Sequence, residues 1–156
     1  MAATTTVSIT SLIKKLRGAY PHLDFIRGED FHYTPPGSIT YDPTATDSCY
    51  MLLHEVGHVL SKHYRYTRDV ELLAIESQAW EQAIIVAKTL DISIPDSVIQ
   101  SSLDTYRDWM HARSLCPECS TTGVQPSSSP RFSCIACGTE WSVNSARLCE
   151  LRRHIL

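Results

Sequence analysis

The sequence predicts an α+β fold: a small, mostly antiparallel sheet with helices around it, followed by a small four-cysteine unit. Three observations carry this. Apolar residues recur at helical spacing in four long stretches, short extended pieces cut by Gly and Pro lie between the first two, and two Cys-x-x-Cys pairs follow the last.

The first helix is predicted over residues 8–20, where Ile9, Leu12, Ile13 and Leu16 repeat with Lys14, Lys15 and Arg17 between them. Gly18 and Pro21 end it. Extended pieces follow at residues 23–26, 31–33 and 38–41, punctuated by Gly28 and by Pro35-Pro36-Gly37. Thr46 or Asp47 can cap the next helix, which runs to about His63. After a turn at residues 64–67, a long helix covers about Arg68 to Leu90. A last one opens at Ile94-Pro95 and runs to Arg113, with Val98, Leu103, Tyr106, Trp109 and Met110 as its apolar positions. Composition then shifts to Cys, Ser and Pro, so the expected division is residues 1–113 and residues 114–156.

The second helix carries His54-Glu55-Val56-Gly57-His58. At about 100° per residue the two histidines stand one turn apart on one face, within reach of a single ion. Leu52, Leu53, Val56, Val59 and Leu60 gather on the other side, and Glu55 projects between. Two imidazole ligands with a carboxylate beside the metal are what a zinc peptidase requires. A catalytic zinc generally holds a third protein ligand. On the long helix Leu72, Leu73, Ala79, Trp80, Ala83 and Ala87 form the core side, with Glu76 in its middle, while Glu71, Gln78, Glu81 and Gln82 form a solvated face. An unpaired buried carboxylate costs several kcal/mol, which a metal ion removes. Glu76 is therefore the expected third ligand; the alternative is a carboxylate bonded to an arginine or a backbone amide. Asp69, on the ligand side two turns earlier, is expected first as an N-terminal helix carboxylate. His63 falls opposite His54 and His58, which makes it structural. Ser61 and Tyr64 stand where the metzincin pattern needs Gly and His, excluding that class. Gly57 would let a neighbouring segment or a substrate come close.

The His54-to-His58 motif followed by Glu76-Ser77-Gln78-Ala79 resembles the ImmA/IrrE-type gluzincin peptidases, over about residues 9–90. The resemblance implies a compact zincin fold, with His54, His58 and Glu76 as zinc ligands and Glu55 as catalytic base. It also implies cleavage of intracellular regulators. Two departures stand out: Trp80 occupies the position of the thermolysin-like second aspartate, and a cysteine unit stands where many members carry a DNA-binding or sensor domain.

In the expected hydrolysis Glu55 takes the proton of a metal-activated water and returns it to the leaving amine. Ser38, Ile39, Thr40 and Tyr41 form the expected edge strand for an extended substrate. Tyr41, Tyr50 and Tyr64 are alternative donors to the developing oxyanion. Cys116, Cys119, Cys134 and Cys137 make a four-thiolate zinc signal, with a closing strand at residues 139–143, and resemble a zinc ribbon. The expectation is thus two zinc ions, one catalytic and one structural. A short C-terminal helix over residues 145–156 would pack through Leu148, Leu151 and Ile155.

Composition bounds the partners. The 156 residues are 43% hydrophobic and 20% charged, with a net charge of -3, so no basic field points to nucleic acid. No run approaches the roughly 18 apolar residues of a membrane span, and the N-terminus lacks a secretory pattern. A cytoplasmic location and a protein or peptide substrate are expected, with nucleic acid only through a local basic face at Arg147, Arg152, Arg153 and His154. The competing expectation is a non-catalytic binding module on a zincin scaffold; the intact Glu55 favours the enzyme.

Overall fold

The computed structural model describes residues 7–62, 65–145 and 150–156. His63, Tyr64, Arg147 and Leu148 therefore lie outside the described residues, together with the roles expected of them. The chain forms two compact units: Met1–Tyr64 with Ile75–Gln100, and Arg65–Ala74 with Ser101–Leu156. The unit that contains the cysteines thus reaches back across residue 113.

In the first unit, α1 spans Ile9–Ala19 and buries Leu12, Ile13 and Leu16. Ser8 caps it by accepting the Ser11 N–H at 3.3 Å, satisfying one of the free donors of the first turn. Three strands follow: β1 (Asp24–Arg27), β2 (His32–Thr34) and β3 (Ser38–Tyr41). Their order is β1-β3-β2, with β1 and β3 parallel and β2 antiparallel to β3. The sheet is therefore mixed, where a mostly antiparallel one was expected. Burial accounts for the order. Phe25 and Ile39 are buried and stand in register on β1 and β3, whereas β2 has no fully buried residue and takes the outside. β3 is consequently the middle strand, paired on both sides over Ser38, Ile39 and Thr40.

Helix α2 spans Ser48–Ser61 and ends at Lys62, whose φ of 54° is left-handed. Six consecutive residues, Leu52 through Gly57, are buried, so the helix is enclosed all round rather than along one stripe. Helix α3 spans Asp69–Thr89 and α4 spans Asp96–Ser114. From Ile75 onward α3 belongs to the first unit, where Ala79, Trp80, Ala83, Val86 and Ala87 are buried.

In the second unit β4 (Phe132–Ser133), β5 (Glu140–Val143) and β6 (Arg153–Ile155) form an antiparallel sheet in that order. The expected C-terminal helix is absent from the described residues, and residues 153–155 are a strand instead. Its backbone completes the open edge of β5, pairing Ile155 with Trp141 and Arg153 with Val143. The core is small: Phe132 stacks on Trp141 at 5.4 Å between centroids, with Cys116 and Cys134 beside them. The buried Trp141 Nε1 donates to the Arg113 carbonyl at 3.1 Å. Arg113 in turn holds Asp69 through Nε at 2.6 Å and Nη2 at 3.2 Å, and both side chains are buried. Asp69 is thus an ion-pair partner, and its own N–H is taken by Gln125 Oε1 at 2.8 Å. Glu71 is no idle surface residue either: it reaches back to the Thr67 and Arg68 N–H groups and caps α3. Among the described residues no helix is long and apolar enough to cross a membrane.

Candidate functional site

Helix periodicity brings His54 and His58 together, and the crossing of α3 over α2 supplies the third group. The Nε2 atoms of His54 and His58 lie 3.1 Å apart, and Glu76 Oε2 lies 3.0 Å from the first and 3.4 Å from the second. Three ligands at about 2.0–2.1 Å from one tetrahedral ion would stand about 3.3 Å from each other. The triangle fits such an ion. Glu55 also brings a carboxylate oxygen within 4.8 Å of the His54 and His58 nitrogens. Of the two carboxylates Glu76 closes the tighter set, while Glu55 is engaged by the Tyr33 backbone N–H on β2.

Two contacts fix this geometry. Gly57 faces the backbone of α3, where a Cβ would fall 2.1 Å from the Ala79 carbonyl oxygen. Only glycine allows α3 to come so close, and Glu76 lies one turn before Ala79. It is therefore α3 that makes the close approach at Gly57. Trp80 stacks on the His54 ring at 4.4 Å with planes 26° apart and is buried behind it. It stands as an apolar wall against the imidazole.

Electrostatics follow from burial. Burial pushes Glu55 up to about 7, with His58 opposing and Glu76 adding to the rise; His32 and the Tyr33 N–H pull it back. Glu76 goes the other way. Burial opposes its charge, but the bonds to His54 and His58 outweigh that and hold it at about 2. For His58, burial disfavours the cation, yet Glu76 and Glu55 raise it above the ordinary imidazole value. The cluster is thus a buried carboxylate with two imidazoles closing on one of its oxygens, a donor set suited to a divalent cation.

Cys116, Cys119, Cys134 and Cys137 form the second group, with sulfurs within 4.8 Å of one another. The Cys116–Cys137 and Cys119–Cys134 separations are 3.7 and 3.4 Å. Thiolates at about 2.3 Å from a tetrahedral ion would be about 3.8 Å apart. The two knuckles repeat one hydrogen-bond pattern. The N–H of Ser120 returns to the Cys116 carbonyl and that of Gly138 to Cys134, while Cys116 N–H reaches Thr121 O and Cys134 N–H reaches Thr139 O. Ser120 and Gly138, at equivalent places, both have positive φ. Thr121 and Thr139 bond the sulfurs of Cys119 and Cys137 and draw both thiols down, Cys119 to about 6. Each threonine lies two residues after the second cysteine of its pair, a repetition visible in the sequence and overlooked.

The remaining expected residues lie elsewhere. As the middle strand, Ser38, Ile39 and Thr40 have both edges occupied and offer an added strand nothing; the outer strands are β1 and β2. Tyr41 opens instead onto a hollow of about 290 Å³ lined by Thr10, Ile13, Lys14 and Arg17. The extended piece expected at residues 31–33 is β2, but its bearing on the site was not foreseen: the Tyr33 N–H reaches Glu55 and the charge of His32 acts there. Comparison with protein-family models, curated proteins and solved structures found no match to this chain.

Proposed function

We propose that this chain is a zinc-dependent endopeptidase of the gluzincin type, akin to the ImmA/IrrE-like peptidases and acting on a cytoplasmic protein substrate. The observation that supports it best is the triangle of His54, His58 and Glu76 with the buried Glu55 alongside. His54, His58 and Glu76 would hold the catalytic zinc; Cys116, Cys119, Cys134 and Cys137 would hold a structural one. When bound, the catalytic ion supplies a water of lowered pKa and polarises the scissile carbonyl.

The chain's own groups do the rest. Glu55 takes a proton from the water as its oxygen bonds to the carbonyl carbon and the carbonyl π electrons move to oxygen. Those electrons return as the C–N bond breaks, and Glu55 delivers the proton to the departing amine. A buried carboxylate near 7 is matched to accepting and returning a proton at neutral pH. The Tyr33 N–H keeps it aimed. Because β3 is internal, an extended substrate pairs with the outer strand β2, beside that same carboxylate.

The test is a comparison of cells carrying the wild type or Glu55→Gln, searched for newly formed protein N-termini. The expected result is a set of N-termini that requires Glu55, with two zinc ions per chain in both proteins. Equal sets of N-termini from both, with zinc bound, refute the assignment.

A further inference from the structure

The hollow beside Tyr41 differs in chemistry from the metal cluster. It lies wholly within the first unit, and α1 builds most of its wall with Thr10, Ile13, Lys14 and Arg17. Spacings of three and four residues put these side chains on one face of the helix. Ile13 is buried and forms an apolar floor, while Lys14 and Arg17 are exposed at the rim. Tyr41, at the end of β3, closes the other side, and its register partner on β1 is Arg27.

The charge here is all of one sign. No acidic residue lines the hollow. Asp42, next to Tyr41 in the chain, accepts at Oδ1 from the Thr44 N–H at 2.8 Å and the Thr44 hydroxyl at 2.6 Å. Lys14 and Arg17 make no ion pair among the described residues, and the residues outside that set include no Asp or Glu. Their neighbour Lys15 is directed instead to the Leu90 carbonyl at 3.4 Å. Like charges one turn apart on a helix repel, and the chain as a whole carries a net charge of -3. Two uncompensated cations on one concavity of a net acidic chain therefore mark it for an anion.

The donors suit phosphate better than carboxylate. Arg17 offers a planar fork, Lys14 a point charge with three N–H donors, and Thr10 and Tyr41 one hydroxyl each. A carboxylate has two oxygens to receive them; a phosphate monoester has three, with nearly two charges at neutral pH. At about 30 Å³ for a water-sized group, a hollow of about 290 Å³ takes a phosphate and only a few atoms more.

We propose that the hollow formed by Thr10, Ile13, Lys14, Arg17 and Tyr41 binds the phosphate group of a small phosphate monoester. The site stands whether or not the chain hydrolyses peptides.

The experiment titrates the full chain by calorimetry with phenyl phosphate, inorganic phosphate and benzoate, in about 0.15 M salt to screen diffuse attraction. Phenyl phosphate and benzoate share a ring and differ in the anion. Phenyl phosphate should bind once per chain with a Kd below about 1 mM, and benzoate about tenfold more weakly or worse. Inorganic phosphate should also bind more weakly than the ester, because it leaves Ile13 uncovered. Lys14→Gln and Arg17→Gln should each weaken phenyl phosphate about tenfold or more, the loss of one charge-assisted hydrogen bond. Lys15→Gln removes the same charge outside the hollow and should change Kd less than about twofold. All three side chains are exposed, so each variant should melt with the wild type. Binding that survives both Lys14→Gln and Arg17→Gln overturns the site, because the anion then lies elsewhere. So do no binding up to about 10 mM phenyl phosphate, and an equal loss in Lys15→Gln, which reports net charge alone. Benzoate as tight as phenyl phosphate overturns the choice of phosphate, and inorganic phosphate as tight as the ester overturns the choice of a monoester.

Discussion

Gly57→Ala is the sharpest probe of how α3 delivers Glu76. The new methyl carbon would stand 2.1 Å from the Ala79 carbonyl oxygen, 2.9 Å from its carbonyl carbon and 3.2 Å from its Cα. All three are backbone atoms, so no rotamer change relieves the clash. A tolerable carbon–oxygen contact is about 3.3 Å, which requires α3 to withdraw by about 1.2 Å at this crossing. Glu76, one turn away on the same helix, withdraws with it. Its distances of 3.0 and 3.4 Å to the histidine nitrogens then exceed what three ligands on one ion allow. In energy, a glycine replaced inside a helix normally gains up to about 1 kcal/mol, against an overpacking cost of about 1–3 kcal/mol or more. Melting should therefore drop by about 2–8 °C for a chain of this size, and bound zinc should fall from two ions per chain to one. Gly18→Ala is the control. No atom lies within 4 Å of the place its new methyl would take, so it should melt no lower than wild type and keep both ions. Circular dichroism melting and metal analysis measure these quantities. If Gly57→Ala retains two zinc ions and melts like the wild type, α3 is not held by this contact.

Other outcomes follow from the same geometry. Glu76→Gln should lower bound zinc from two to one, leaving the thiolate site filled, as read by metal analysis and by cobalt spectra that keep only their thiolate bands. Zinc affinity at the histidine site should rise with pH. His58 must lose its proton to ligate, and its folded pKa is raised, so below that pKa each unit of acidification weakens binding about tenfold. Glu76, held at about 2, stays ionised throughout and adds no slope above about pH 3. A flat profile from pH 5 to 8 in chelator competition would contradict this. Asp69→Ala strands the buried Arg113 guanidinium and should destabilise the chain by about 3–5 kcal/mol in denaturant unfolding; a change below about 1 kcal/mol would mean the pair is solvated.

What could be read from the chain beforehand was what repeats locally. The i, i+4 histidines, the acid on an apolar helix side and the paired cysteines each declare themselves within one element, and the four long helices came out within about two residues of expectation. Strand order did not, because β1 pairs with β3 across an intervening strand and no local pattern records that choice. The expectation that residues 38–41 form an edge strand came directly from this. β6 was missed for a similar reason: Leu151 and Ile155 fit a helical stripe, while the demand of β5 for a backbone partner is a long-range fact.

Helix α3 begins among residues of one unit and continues into the other. Its opening residue, Asp69, is clasped by Arg113 and Gln125, all three within the unit that holds the cysteines. The boundary between the two units therefore falls inside a helix, between Ala74 and Ile75, and not in a linker after residue 113. A shortened chain ending at Ser114 forfeits Gln125 and Trp141, and with them the bonds to the Asp69 N–H and the Arg113 carbonyl.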